Sequence, residues 1–235
     1  PIPQESPVPA INIAAAFGNK EIINLLIDRG AIVNPVENEI TPLMCAARYN
    51  NSETIEILAQ RGADLLCEWV VKKNSDYGGN ALHFAAMYGS TEAVKTLISL
   101  GLTPNCRSSF WGECTPLLFC CMTIIRQDTY STIKVLLQNG ADPNLKYQPD
   151  RGQFRYLNGP TLFHFLADRS NELMPESTLV CDERDSLNLR ILKISELLIL
   201  YGADINVKDS NGRTAISIAN NPIYKNWLIE HGALE

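Results

Sequence analysis

The segment at residues 133–144 contains the pattern that most restricts how this chain can fold, because closely similar segments occur six times along the sequence. Its four apolar side chains between Ile133 and Leu137 predict the buried side of an α-helix. Gly140 predicts the end of that helix, since glycine adopts the left-handed conformation without strain, and Asp-Pro-Asn then predicts a turn. The glycines that close the six copies are Gly30, Gly62, Gly101, Gly140, Gly202 and Gly232.

A second repeated phrase precedes each of these helix endings. It reads Thr-Pro-Leu-Met-Cys-Ala-Ala at residues 41–47 and Asn-Ala-Leu-His-Phe-Ala-Ala at residues 80–86. Thr41 can cap a helix and Pro42 is tolerated at its first position, while the paired small residues let a neighbouring helix approach closely. Together with the Gly-Ala-Asp-x-Asn ending, the phrase resembles the ankyrin repeat, a unit of about 33 residues. The resemblance covers nearly the whole chain.

The resemblance implies an all-α fold, a solenoid of about six helix-turn-helix repeats joined by β-hairpin-like fingers. Residues 1–9 contain four prolines and are predicted to be a linker, followed by a repeat domain at residues 10–235. The last helix, with Tyr224 and Lys225, is more polar than the others, which is typical of a capping repeat. The six repeats are expected at about residues 10–33, 34–70, 75–106, 110–146, 156–207 and 209–235.

Insertions are expected in the fourth and fifth repeats. The spacing from Thr115 to Thr161 is 46 residues, with the excess divided between residues near 126–129 and the connection at 147–158. In the fifth repeat, residues 171–188 separate the two helices and include a mixed charge run. A segment of this length is expected to be a mobile loop that tolerates shortening.

Composition indicates which kind of partner and which cellular compartment to expect. The net charge of −6 argues mildly against a nucleic-acid partner, and no apolar run is long enough to span a bilayer. The seven cysteines form an odd set, and Cys45, Cys120 and Cys121 occupy positions where the repeat expects small apolar residues. We therefore expect reduced thiols and a cytoplasmic or nuclear protein, without membrane insertion. Since the first residue is Pro1, we also expect a fragment or a processed chain.

No catalytic or metal-binding pattern stands out. The sequence has no Gly-rich phosphate loop, zinc-protease helix or nucleophile elbow. His83 and His164 fall where the ankyrin repeat has its own histidine, which bonds to the backbone of the neighbouring hairpin, so a structural role is favoured. Cys114, Cys120 and Cys121 lack paired metal-ligand spacing. We expect no enzymatic activity, no cofactor and no metal site.

Large aromatic side chains are concentrated in three connections between repeats. Aromatics on exposed fingers favour a binding surface, because tryptophan and tyrosine are enriched in binding hot spots. The alternative is that long fingers pack on one another through these rings. The seven residues are Trp69, Tyr77, Phe110, Trp111, Tyr147, Phe154 and Tyr156.

A second candidate surface follows the small pair of each first helix, at positions that commonly contact the partner in ankyrin repeats. Phe17, Tyr49 and Tyr88 recur there once per repeat, which predicts a ladder of rings along the groove floor. Stacking between repeats is the alternative interpretation. Combining both surfaces, the predicted partner-binding residues are Arg48, Tyr49, Trp69, Tyr77, Met87, Tyr88, Phe110, Trp111, Glu113 and Tyr156.

Charge predicts how a partner segment would lie. The fingers and turns of the first half are acidic on balance, and the sign changes beyond them, so a segment basic at one end and acidic at the other would fit one orientation best. In these fingers and turns of the first half the acidic residues are Glu37, Glu39, Asp64, Glu68, Asp76 and Glu113, against Lys72, Lys73 and Arg107.

These patterns favour a protein-interaction module, an adaptor or scaffold that binds a protein or peptide segment through the groove and the fingers. One alternative is the substrate receptor of a ubiquitin ligase. Another is a regulatory array attached to an enzyme or channel outside this sequence. The sequence predicts neither the identity of the partner nor the oligomeric state.

Overall fold

The computed structural model describes residues 8–35, 39–70, 78–108, 113–123, 129–147, 160–171 and 181–234. Their helices follow one another in antiparallel pairs. Two antiparallel strands of two residues each lie between the second and third pairs. The elements are α1 Ala10–Phe17, α2 Lys20–Asp28, α3 Pro42–Arg48, α4 Ser52–Gln60, β1 Trp69–Val70, β2 Gly78–Gly79, α5 Ala81–Met87, α6 Thr91–Ser99, α7 Pro116–Met122, α8 Tyr130–Gln138, α9 Leu162–Asn171, α10 Cys181–Leu200, α11 Ala215–Ile218 and α12 Pro222–Glu230.

The helices stack in two layers. The first helices of the pairs pack side by side in the order α1, α3, α5, α7, α9, α11, and the second helices α4, α6, α8, α10 and α12 pack in the same order. The predicted small pairs lie at the centre of the first layer, where Ala46, Ala47, Ala85 and Ala86 have no exposed surface. Small side chains allow the close approach that this stacking requires. The chain therefore has an all-α repeat fold, as the sequence predicts.

The helix boundaries follow the predicted capping residues. The hydroxyl oxygens of Thr41 and Thr115 accept hydrogen bonds from the backbone N–H groups of Met44 and Leu118, and proline occupies the first turn of both helices. The closing glycines end the second helices with φ between 83° and 105°. Local capping therefore explains where these helices begin and end.

In four of the loops that follow second helices, an asparagine links the loop to the equivalent loop of the next pair, an arrangement that we call the asparagine clamp. Asn34 shows its geometry: the side-chain amide donates to the backbone oxygen of Gly62, and its oxygen accepts from the N–H of Asp64, both at 2.8 Å. Asn105, Asn144 and Asn206 make the same two bonds to the loops that follow them. At the equivalent position of the second pair stands Leu66, which is 71% exposed. The junction between the second and third pairs therefore lacks a clamp.

The prediction of a loop at residues 171–188 is wrong for its second half. Helix α10 begins at Cys181 and runs for 20 residues, so the charge run at residues 182–185 lies within a helix. The physical reason is a continuous apolar stripe, because Leu187, Ile191, Ile194 and Leu198 recur at helical spacing and are all buried. Residues 172–180 lie outside the described residues, as do residues 1–7 of the predicted linker and residues 124–128 of the fourth-repeat insertion.

The last helix also differs from its predicted polar character. Tyr224 is only 1% exposed, and its hydroxyl lies 2.9 Å from the Oγ atom of Ser195 on α10. Trp227 stacks on Tyr224 with ring centres 5.8 Å apart. Tyr224, Trp227 and Leu228 share one side of α12, so this side packs into the array although polar residues surround it.

Candidate functional site

The C-terminal ends of the first helices follow one another in a row, which we call the floor strip; its residues range from exposed Phe17 to buried Thr123. It consists of two positions from each of α1, α3, α5 and α7. Phe17 is 83% exposed and Tyr49 is 55% exposed, while Tyr88 and Met87 are half-buried against the core. Exposed aromatic rings in neighbouring helices are consistent with the predicted ladder. The eight residues are Ala16, Phe17, Arg48, Tyr49, Met87, Tyr88, Met122 and Thr123.

Arg48 lies between two rings of the floor strip. Its guanidinium carbon is 4.4 Å from the centre of the Tyr88 ring and 5.3 Å from the centre of the Tyr49 ring. Contacts of this length are cation–π interactions. Arg48 therefore contacts two other predicted partner-binding residues, Tyr49 and Tyr88, and Met87 precedes Tyr88 on the same helix end.

The backbone around Arg48 is held on both sides by neighbouring helix pairs. Asn51 donates from its side-chain amide to the backbone oxygens of Ala15 and Ala16, at 2.9 and 2.7 Å. On the other side, the backbone oxygen of Arg48 accepts a hydrogen bond of 2.9 Å from the Oγ atom of Ser90. Asn50 turns the chain with a left-handed φ of 60°, and its side-chain oxygen accepts from the N–H of Ala93. These bonds fix the position from which the Arg48 side chain starts.

The predicted finger residues differ in their exposure. Trp69 is half-buried and packs against Phe84, with ring centres 5.8 Å apart. Tyr147 is 5% exposed, so the expectation of an exposed ring is wrong there, because this residue packs into the core. Glu113 is exposed and forms an ion pair of 3.0 Å with Arg107. The other predicted finger aromatics, Tyr77, Phe110, Trp111, Phe154 and Tyr156, lie outside the described residues.

Two histidines bond to the backbone of the next pair, as the resemblance implies. The Nε2 atom of His83 lies 3.2 Å from the backbone oxygen of Cys114, and that of His164 lies 2.9 Å from the backbone oxygen of Arg213. Burial lowers the pKa of His83 to about 4 and also lowers the pKa of His164. A neutral, fully buried imidazole that bridges two loops is suited to holding them together.

A third residue with this bridging role was missed by sequence reasoning. Asn12 is buried and donates from its side-chain amide to the backbone oxygen of Ile40, at 2.8 Å. It occupies the repeat position at which His83 and His164 stand, and Ile40 precedes the capping Thr41 as Cys114 precedes Thr115. The repeat register could have identified Asn12, because an amide at a buried position needs a partner.

Five of the cysteines that the structure describes pack in or against the core and are protonated, namely Cys45, Cys106, Cys114, Cys120 and Cys121. Burial raises the pKa of Cys45 and Cys106 to about 11 and that of Cys114 and Cys121 to about 12. The thiolate is the reactive form, so these groups are weak nucleophiles at neutral pH. Within the described ranges, no three side chains of the His, Cys, Asp or Glu type lie close enough together to hold a metal ion.

A separate cavity of about 520 Å³ lies between α8 and α10, in the layer of second helices. Its walls combine apolar side chains with Arg190, Lys193 and Glu196, and contain neither histidine nor cysteine. This cavity is distinct from the floor strip, which belongs to the first helices. The lining residues are Thr129, Tyr130, Arg190, Lys193, Ile194, Glu196, Leu197 and Leu200.

A comparison with protein-family models identifies the repeat. A family model described as ankyrin repeats, in three copies, matches residues 4–68 and residues 65–147, and the two matches together cover more than half of the chain. A search of curated proteins found no match. None of the helices that the structure describes combines the length and apolar composition needed to cross a membrane.

Proposed function

The chain belongs to the ankyrin-repeat family, whose members generally mediate protein–protein interaction, and we propose that it is an adaptor or scaffold. In this proposal an extended segment of a partner protein lies along the floor strip, and the fingers contribute further contacts.

The whole proposed domain is residues 10–235, with each helix pair forming one repeat. Six repeats result, and the fourth and fifth carry the insertions. The pairs beyond the matched residues support this count, because they end at Gly202 and Gly232 as the others do.

The observation that carries the proposal is the exposure of large rings on an otherwise closely packed layer. Phe17 and Tyr49 are more than half exposed, although the alanine pairs beside them are almost completely buried. A row of exposed aromatic rings presents a large apolar surface that a partner could cover. Tyrosine is also enriched among the residues that dominate binding energy. The proposal therefore places the binding surface on the floor strip and treats the buried histidines and cysteines as structural residues.

The length of the floor strip suggests the size of the bound segment. Packed helices lie about 8–10 Å apart, so four consecutive first helices span about 30 Å, which roughly nine extended residues would cover. The proposed contacts are Arg48, Tyr49, Met87 and Tyr88 on the floor. On the fingers they are Trp69, Tyr77, Phe110, Trp111, Glu113 and Tyr156.

The test uses peptides selected from a displayed random library on the wild-type protein. Their affinity would be measured for Tyr49→Ala, Tyr88→Ala and Trp111→Ala, after circular dichroism has shown that each variant is folded. Removing a central ring is expected to weaken binding by about 2 kcal/mol or more. The matched control is Tyr130→Ala, an exposed tyrosine on α8 in the other layer. Equal affinities for all four variants, or a failure to select any peptide, would contradict the proposal.

A further inference from the structure

We propose that Arg48 recognises an isolated carboxylate, the side chain of an Asp or Glu residue in a partner segment whose neighbouring residues are apolar. The apolar neighbours contact Tyr49 and Phe17 on one side, and Tyr88 and Met87 on the other. This inference rests on the proposed function, since it assigns the chemistry of the segment that lies on the floor strip. It adds to that function a specific residue, a specific ligand group and a position along the array.

The first supporting observation is the charge of the floor strip. Among its eight positions on α1, α3, α5 and α7, only Arg48 carries a formal charge, whereas the equivalent positions on α9 are the charged pair Asp168 and Arg169. The chain as a whole has a net charge of −6, so a positive group at the centre of this strip contrasts with its surroundings. A partner that covers the strip must place some group against this cation. Burying an arginine without a counter-charge is unfavourable, so an acidic group is favoured there.

The second observation is the state of the guanidinium. Within the part of the chain that the structure describes, Arg48 makes no ion pair, and its guanidinium donates no hydrogen bond. Its cationic group contacts the rings of Tyr49 and Tyr88. A contact with a ring face does not use the guanidinium N–H groups as donors to oxygen, so these donors remain available. A guanidinium with free donors matches the two oxygens of a carboxylate.

The third observation concerns preorganisation. The backbone of Arg48 is bonded to Ser90 of the next pair, and the turn that follows it is bonded to Ala15, Ala16 and Ala93. The two tyrosines come from consecutive helix pairs, so their spacing is set by the stacking of α3 on α5. An arginine that is already held in place loses less side-chain entropy on binding than a free surface arginine. Other arginines are also exposed on the surface, but the hydrogen bonds around its backbone distinguish Arg48 from them.

The fingers explain why the carboxylate should be isolated. Glu39, Asp64 and Glu68 are the acidic residues of the nearby turns, and they would repel a segment that is acidic throughout. They lie toward the opposite end of the short first helices, and α3, at seven residues, is about 10 Å long. Screening at physiological ionic strength acts over about 8 Å, so one carboxylate at Arg48 is separated from most of this repulsion. We therefore expect a single acidic residue between apolar ones, with basic residues only where the segment approaches the fingers.

The experiment uses random peptides displayed on phage and selected on the wild-type protein. Selected sequences would be synthesised with blocked termini, so that side chains supply the only carboxylates, and titrated against the wild type and Arg48→Gln. The expected result is an Asp or Glu at a constant place between apolar residues, with affinity for Arg48→Gln reduced about tenfold. Arg29→Gln is the matched control, because Arg29 is an exposed arginine at the end of α2, outside the floor strip, and it should leave the affinity unchanged.

A double-mutant cycle tests whether the carboxylate and Arg48 meet. Replacing the peptide's Glu by Gln should weaken binding to the wild type by the same factor, and should have no further effect on binding to Arg48→Gln. Independent effects of the two changes, or equal affinity of the wild type and Arg48→Gln, would overturn the assignment of the carboxylate. If Tyr49→Ala and Tyr88→Ala still weakened binding in that case, the floor strip would remain the binding surface. If no change on the strip mattered, both proposals would fail together.

Discussion

The Nε2 atom of His83 lies 3.2 Å from the backbone oxygen of Cys114, in the connection that leads into the next helix pair. On its other side, the Nδ1 atom accepts a hydrogen bond of 3.3 Å from the N–H of Asn80. The Nδ1 atom also lies 2.9 Å from the side-chain oxygen of Asn80. Burial disfavours the charged imidazolium, so the ring that connects the two consecutive pairs is neutral at pH 7, donating from Nε2 to the backbone oxygen of Cys114.

The stability of the array should consequently decrease in mild acid. Burial lowers the pKa of His83 to about 4, whereas in the unfolded chain it has its ordinary value of about 6.5. Between these values the unfolded state binds the additional proton, so stability is complete above the window and is lost as the pH falls through it. The free energy of unfolding should fall by about 2 kcal/mol between pH 7 and pH 5 from His83 alone.

Urea unfolding at several pH values would measure this decrease. In His83→Gln the dependence on pH should be smaller by the same amount, although the variant is less stable at pH 7. His164, whose pKa is also lowered, should supply part of the dependence that remains. An identical pH profile for the variant and the wild type would show that His83 does not titrate as described.

The second prediction restores the missing asparagine clamp. Leu66→Asn places an amide beside the loop that contains Gly101 and Thr103, where the equivalent Asn105 bonds to Gly140 and Asp142. Two exposed hydrogen bonds together should raise the free energy of unfolding by about 1 kcal/mol. Chemical denaturation would measure the gain, with Asn105→Leu as the opposite change. A stability of Leu66→Asn at or below that of the wild type would contradict the role assigned to the clamp.

The third prediction concerns the buried hydroxyl pair on α10 and α12. Tyr224→Phe removes the partner of Ser195 and should lower the free energy of unfolding by about 1 kcal/mol, with little change in packing. Tyr224→Ala should be much more destabilising, by about 3 kcal/mol or more, because it opens a cavity in the core. Thermal or urea unfolding would separate the two. If Tyr224→Ala unfolded at the same point as the wild type, this tyrosine would not be part of the core.

The fourth prediction is an order of thiol reactivity. Cys67 is half-buried, whereas Cys120 and Cys121 have no exposed surface, so a thiol reagent should modify Cys67 before either of them in the native protein. Denaturation should then make all seven cysteines reactive without a reducing agent. Mass spectrometry of peptides from a time course would establish the order. Early modification of Cys121, or fewer than seven thiols after denaturation, would contradict it.

Local sequence signals predicted the parts of the fold that depend on local interactions. Thr41 and Pro42 begin a helix and Gly62 ends one because capping involves only neighbouring residues. The helical start of α10 could not be predicted in this way, since its charge run is typical of a solvated loop. What stabilises it is the burial of Leu187 and Ile191 against the array, which is a tertiary effect.

The sequence predicted which positions belong to the candidate site, but not the contacts between their side chains. Tyr49 and Tyr88 occupy equal places in successive repeats, so the sequence could bring them together on the floor strip. That Arg48 lies over both rings depends on the distance between α3 and α5, which no local pattern specifies. The burial of Tyr147 and Tyr224 likewise depends on how connections and helix faces turn in the folded array.

The missing clamp at Leu66 has a mechanical consequence. Most junctions join their second-helix loops through an asparagine, but at the junction between the second and third pairs the bonds made by the Ser90 and Asn50 side chains lie at the other edge. The loops on the Leu66 side of this junction lack the hydrogen bonds that link the other loops. We therefore expect bending of the array to be concentrated at this junction, with the loops on the Leu66 side moving apart. Arg48 and Tyr88 stand on the two sides of this junction. A segment bound across them would act as a splint, making the curvature of the array a property of the complex rather than of the free protein.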